Sequence, residues 1–110
     1  MTVGKKDRLQ GALDLLVLKT LTQGPMHGFG ITMHIDAVTS GALRFQEGSL
    51  YPALQRMENE GWVTAEWKTT ENNRRARYYK LTTAGRKQLG QERDQWNRVA
   101  QAVALVLNHA

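Results

Sequence analysis

The feature that most constrains this chain is a change of apolar period at Gly61. Before it, apolar residues recur every three or four positions, most clearly Leu50, Leu54 and Met57. After it, Val63, Ala65 and Trp67 alternate with Thr64, Glu66 and Lys68, a period of two that makes a strand. A turn-rich stretch from Thr69 to Asn73 leads into a second strand from about Arg74 to Leu81. That strand sets Arg77, Tyr79 and Leu81 on one face and Ala76, Tyr78 and Lys80 on the other, so the pair is expected to form a hairpin.

Helical spacing holds on both sides of the hairpin. A first helix is expected from about Leu9 to Gln23, where Gly24-Pro25 stops it, with Asp14 and Lys19 toward water. A second, from about His27 to Thr39, buries Ile31, Ile35 and Val38 and ends at Gly41. The third opens at Glu47-Gly48-Ser49. Its Pro52 is placed among the first amides, which have no intrahelical acceptor to lose. Gly61 is expected to close it in the left-handed conformation and fold Trp62 into the core. Thr82 can cap a last helix reaching about Asn108, roughly 25 residues and ~38 Å long. Its apolar side is too wide for that helix to stand alone in water.

The 110 residues are one domain's worth of chain. Cysteine is absent, which excludes a disulfide framework, a thiolate zinc site and a cysteine nucleophile, and points to a reducing compartment. The longest strictly apolar run, Ala102 to Leu107, is far short of a membrane span, and the N-terminus has no signal-peptide apolar core. A cytoplasmic protein is expected.

The net charge of +5 is local. Residues 68 to 87 hold Lys68, Arg74, Arg75, Arg77, Lys80, Arg86 and Lys87 against Glu71, a balance of +6, while the remainder sums to −1. A basic run by itself is either a solvated face or a nucleic-acid contact. Here it coincides with the hairpin. Three helices, a hairpin and a further helix follow the order of a winged helix-turn-helix, a mainly α (α+β) fold with a two-stranded wing. Residues 1–81 would form the DNA-binding part and residues 82–110 the long C-terminal helix, in one continuous structural unit. The third helix would enter a major groove of double-stranded DNA and the wing would lie along phosphates.

The run Gly48-Ser49-Leu50-Tyr51-Pro52-Ala53-Leu54-Gln55-Arg56-Met57-Glu58, then Gly61-Trp62, then Arg74 to Thr82 and Gly85, resembles the PadR family of bacterial transcriptional regulators. Leu13 to Leu18 and His27-Gly28-Phe29-Gly30-Ile31 resemble its first two helices, so the likeness spans roughly residues 9 to 90. It implies a homodimeric winged-helix repressor that dimerises through the C-terminal helix and reads an inverted-repeat operator. The single last helix marks a compact subgroup. Phe29 stands where the family often has tyrosine and is expected to be buried; Gly30 weakens the start of the second helix by about 1 kcal/mol relative to alanine.

The resemblance places Tyr51 against DNA, the alternative being packing on the wing. Ser49 either donates to a phosphate or caps the helix. Gln55 can pair with an adenine edge or simply face solvent. Pro52 is likewise left off the buried row of the third helix, and His27 sits at a helix start near DNA. Asn73 lies in the turn beside the wing arginines Arg74, Arg75 and Arg77, which would hold phosphates or a minor groove. Arg56 and Glu58 fit a structural ion pair as well as a contact, and stay outside the expected site.

The dimer interface is expected at Leu89, Trp96, Val99, Ala100, Val103, Val106 and Leu107, setting two recognition helices about 34 Å apart. Trp96 is either a plain interface anchor or the lining of a pocket for a small aromatic effector, as in some relatives.

No enzyme is expected and no cofactor is implied. His27 and His34 would stand about 10.5 Å apart on one helix, too far for one metal ion. Ser40 and Ser49 have no nearby base, and no GxxxxGK loop occurs. The competing reading is a winged-helix module that binds another protein, with double-stranded RNA a distant third because an A-form major groove is too narrow for a helix.

Overall fold

The computed structural model describes the backbone from Lys5 and the side chains from Ala12 to the C-terminus. Helix α1 (Lys5–Thr20) runs into a 3-10 turn, Leu21–Gln23. Then come β1 (Met26–His27), α2 (Gly28–Val38), α3 (Glu47–Asn59), β2 (Val63–Thr69), β3 (Arg75–Leu81) and α4 (Thr83–Leu107). The predicted Leu9 contribution to the first apolar stripe lies outside the described side chains.

The core forms where α1, α2 and α3 meet under the sheet. Val17, Leu18 and Leu21 face Ile31 and Ile35 of α2, and Leu50, Leu54 and Met57 of α3 close the cluster. The i, i+4, i+7 row of α3 is fully buried, as its spacing requires. Leu81 and Tyr79 of β3 and Val63 of β2 cover the underside.

Gly61 adopts φ 79° and ends α3 in the expected way. The Gly61 amide donates to Glu58 O at 3.0 Å and the Trp62 amide to Met57 O at 2.9 Å, the paired bonds of a Schellman motif. Trp62 is only partly buried at the core margin, because the short step into β2 carries its large ring to the edge.

The sheet has three strands rather than the two of the expected wing. β1 adds to β3 through Met26↔Tyr79 and His27↔Tyr78, giving the order β1-β3-β2. Two residues before α2 have too little length to show a period, so the pairing left no trace in the sequence pattern. Between β2 and β3 the register runs from Val63↔Leu81 to Thr69↔Arg75. Burial fades along β2 from Val63 outward as the hairpin leaves the body, so Trp67 is exposed.

Three helix-face expectations are corrected. Asp14 is buried, not solvated, and accepts a charge-assisted bond from Arg56 of α3. Val38 is 69% exposed because it occupies the last turn of α2, beyond the reach of α1 and α3. Phe29 is 53% exposed: it is the second residue of α2 and turns to the outer side, where its ring stacks near His27 with centroids 6.4 Å apart.

Thr82 caps α4, its Oγ1 accepting from the Gly85 amide at 3.0 Å and donating to Gly61 O at 2.7 Å. A Cβ at Gly85 would stand 2.1 Å from the Trp62 carbonyl oxygen and 2.6 Å from Leu81 Cδ1, so only glycine lets α4 press this close. Leu89, one turn further on, is buried as well. It belongs to the core of its own chain, and little of it is left for the intersubunit face where it was expected. From Arg93 to the end every residue is exposed, and α4 projects to give the molecule its 58 Å long axis.

Candidate nucleic-acid interface

Helix α3 begins at Glu47 with Gln46 in the N-cap position. The Ser49 amide bonds back to Gln46 O at 3.0 Å, which makes Ser49 an exposed third residue of the helix and removes its alternative role as cap. Pro52 is inside α3, beyond the first turn where it was expected to be harmless. Its missing amide would have met the Gly48 carbonyl, and Gly48 is exposed, so water can take that bond.

Tyr51 is 47% exposed and its hydroxyl donates to Glu47 Oε1 at 2.6 Å, one turn earlier. That bond to the carboxylate, with partial burial and the nearby negative charge, pushes the phenol up to about 12. Tyr51 is therefore a neutral donor throughout the physiological range. Gln55 Nε2 donates to Asn59 Oδ1 at 3.1 Å, leaving the Gln55 carbonyl oxygen unengaged by that bond.

The wing rises beside this helix. The chain turns at Asn73, whose φ of 61° suits asparagine, with its amide on Thr70 O at 2.9 Å and the Arg74 amide on Thr70 Oγ1 at 3.2 Å. Arg77 is not a free wing cation. Its guanidinium donates to both carboxylate oxygens of Glu58 at 2.9 and 3.0 Å, tying β3 to the last turns of α3. The Arg75 guanidinium lies 5.6 Å over the ring of Trp67, a cation–π contact near the wing tip.

Between α3, the start of α2 and the wing lies an open groove of about 710 Å³. It brings together His27, Tyr51, Gln55, Arg74, Arg75 and Arg77 from the expected set. Ser49, Pro52 and Asn73 do not line it, the first two being on other sides of α3 and Asn73 turned out at the wing tip, where Asn72 takes its place. His27 holds the groove's rear edge, with Nδ1 accepting the Gly30 amide at 2.9 Å as cap of α2.

Glu47, Phe29 and Trp67 also line the groove and were not expected there. Glu47 could have been found from its i, i+4 relation to Tyr51; the other two became wall residues only because α2 and the hairpin expose them. The expected pairing of Arg56 is structural, to Asp14 behind the helix. Among the described residues no cluster of metal-ligating side chains occurs, and no helix is long and apolar enough to cross a membrane.

A helix presented beside a basic antiparallel wing defines the winged helix-turn-helix class. The sequence pattern of the transcriptional regulator PadR-like family matches residues 17–91, and the chain belongs to that family. It is a transcriptional regulator and not an enzyme. A regulator structure from Clostridium thermocellum superposes with a TM-score of 0.80 at 26% identity, covering 93% of this chain and 96% of that one. A PadR-like regulator from Bacillus cereus gives 0.76 at 25% identity over 93% and 97%. A transcriptional regulator of Mycobacterium tuberculosis is 29% identical over 86% of this chain and 84% of its own length.

Proposed function

We propose that the chain binds double-stranded DNA with α3 in a major groove and the hairpin along the adjoining phosphates. The observation that carries this reading is the shared groove, which sets Tyr51 and Gln55 of α3 opposite Arg74 and Arg75 of the wing. A helix supplies the base-edge contacts, and guanidinium groups across the groove supply the phosphate grip. Ser49, Pro52, Asn73 and His27 flank this contact and Arg77 buttresses it.

Two copies act together as a repressor on an inverted repeat. The support is the exposed face of α4, where Trp96, Val99 and Val103 are each about half exposed and Ala100, Val106 and Leu107 extend the stripe. An apolar face of that length is stabilised by an identical face related by a two-fold axis. Trp96 anchors this contact, and a small aromatic effector stacking on it would be the releasing signal; saturable quenching of Trp96 by such compounds tests that part.

The DNA reading is tested by substituting Arg74 and Arg75 with alanine and measuring duplex affinity against salt. Each lost phosphate contact should lower the slope of log affinity on log salt by about 1 and weaken all duplexes alike. An unchanged slope removes the wing from the mechanism.

A further inference from the structure

Glu47 is the one carboxylate in the lining of a groove that also holds Arg74, Arg75 and Arg77. It is only partly buried, sits in the first turn of α3, and among the described residues makes no ion pair with Lys, Arg or His. Near phosphates an anion is repelled, although the amides at the leading end of the helix favour a carboxylate there. Its geometry is set from two sides. Tyr51 donates to Oε1 at 2.6 Å, and at Gly28 the missing side chain leaves Glu47 Cγ 3.5 Å and Tyr51 Cε1 3.6 Å from where a Cβ would stand. The other oxygen, Oε2, is left as an acceptor without a bond of its own in the side-chain network.

We propose that Glu47 is a specificity-determining residue that reads an exocyclic amino group in the major groove, cytosine N4 foremost, with Tyr51 as its positioning residue. This rests on the duplex-binding reading above. Major-groove edges differ in what they offer a carboxylate: cytosine presents the N4 amino donor, guanine presents O6 and N7, and thymine presents O4 and a methyl group. Guanine and thymine therefore repel an acceptor-only side chain. Adenine offers its N6 amino beside the N7 acceptor, which opposes a second carboxylate oxygen. Because the Tyr51 phenol keeps its proton up to about 12, it can donate to Glu47 Oε1 at every physiological pH and hold that side chain in place. The same charge weakens binding to every sequence that lacks the amino group, so Glu47 selects largely by exclusion.

The test is selection from a randomised duplex library with the full chain, in parallel with Glu47→Ala, Glu47→Gln and Tyr51→Phe, each first checked for an unchanged cooperative melt. The wild type should enrich a half-site with an invariant cytosine, and replacing it by thymine should weaken binding about 10- to 100-fold. Glu47→Ala should make that position indifferent while leaving the other positions as they were. Glu47→Gln should accept both bases, since its amide can donate as well as accept, and Tyr51→Phe should lower discrimination severalfold with no change of salt slope. If Glu47→Ala keeps the cytosine preference, or weakens all duplexes equally as a purely structural residue would, the proposal is overturned. A wild type that enriches no duplex overturns the DNA reading itself, an outcome distinct from either of those.

Discussion

The two halves of α4 share one helix but not one environment. Gly85 in the first turn is pressed against Trp62 and Leu81, Leu89 a turn later is buried in the core cluster, and the chain itself supplies their neighbours. Beyond Arg93 the same helix carries Trp96, Val99, Val103 and Leu107 with none of them buried. Helical propensity and patterning do not differ enough between the halves to explain this. The head is closed by its own three-helix core, whereas the projecting half has outrun the body and offers an apolar face that only another surface can cover.

Three experiments break or sharpen that contrast. Leu89→Ala should destabilise the fold by about 2–5 kcal/mol, as a large-to-small change in a packed core does, and Leu105→Ala, at a residue 75% exposed, should stay within about 0.5 kcal/mol. Denaturant midpoints decide it; equal losses would erase the difference between the halves. Val103→Asp should leave the head folded but weaken the proposed self-association by about 1–3 kcal/mol, because a carboxylate would enter the apolar face that the proposed dimer pairs. Sedimentation against concentration reads this, and an unchanged assembly would place the dimer contact elsewhere.

The smallest effect is a proton on the head's outer surface. Tyr51 titrates near 12 in the folded chain against an ordinary value of about 10, so between those values the folded chain holds a proton the unfolded chain has lost. Its contribution to stability is complete below about pH 10 and is lost as pH rises through 12. Absorbance titration should show two late tyrosines, Tyr51 and the burial-raised Tyr79; Glu47→Gln should bring only Tyr51 back toward 10, and Tyr51→Phe should remove that phase and leave the other. An unchanged titration in Tyr51→Phe would assign the latest phase to Tyr79.

Much of the site was legible before any coordinates. The buried row of α3, the Gly61 stop, the Thr82 cap and the basic hairpin all depend on neighbours within a few residues, and each has a signature in spacing or residue type. The groove's tyrosine, glutamine and arginines followed from those elements. The pairing of Arg77 with Glu58 was not legible because the two lie 19 positions apart. Trp67 alternates like a core residue yet is exposed, since alternation tells which face a residue takes and not how far the hairpin extends past the body.

By itself the sequence determined the helices, the hairpin and the concentration of positive charge on it, because periodicity, capping and charge act over one or two turns of chain. Only the tertiary structure decided that Asp14 is buried against Arg56, 42 residues on, that β1 joins β3, and that Glu47 stands among arginines with Tyr51 holding it. Those outcomes depend on which surfaces meet when the elements pack, and a pairing between distant residues leaves no period in either partner's own segment.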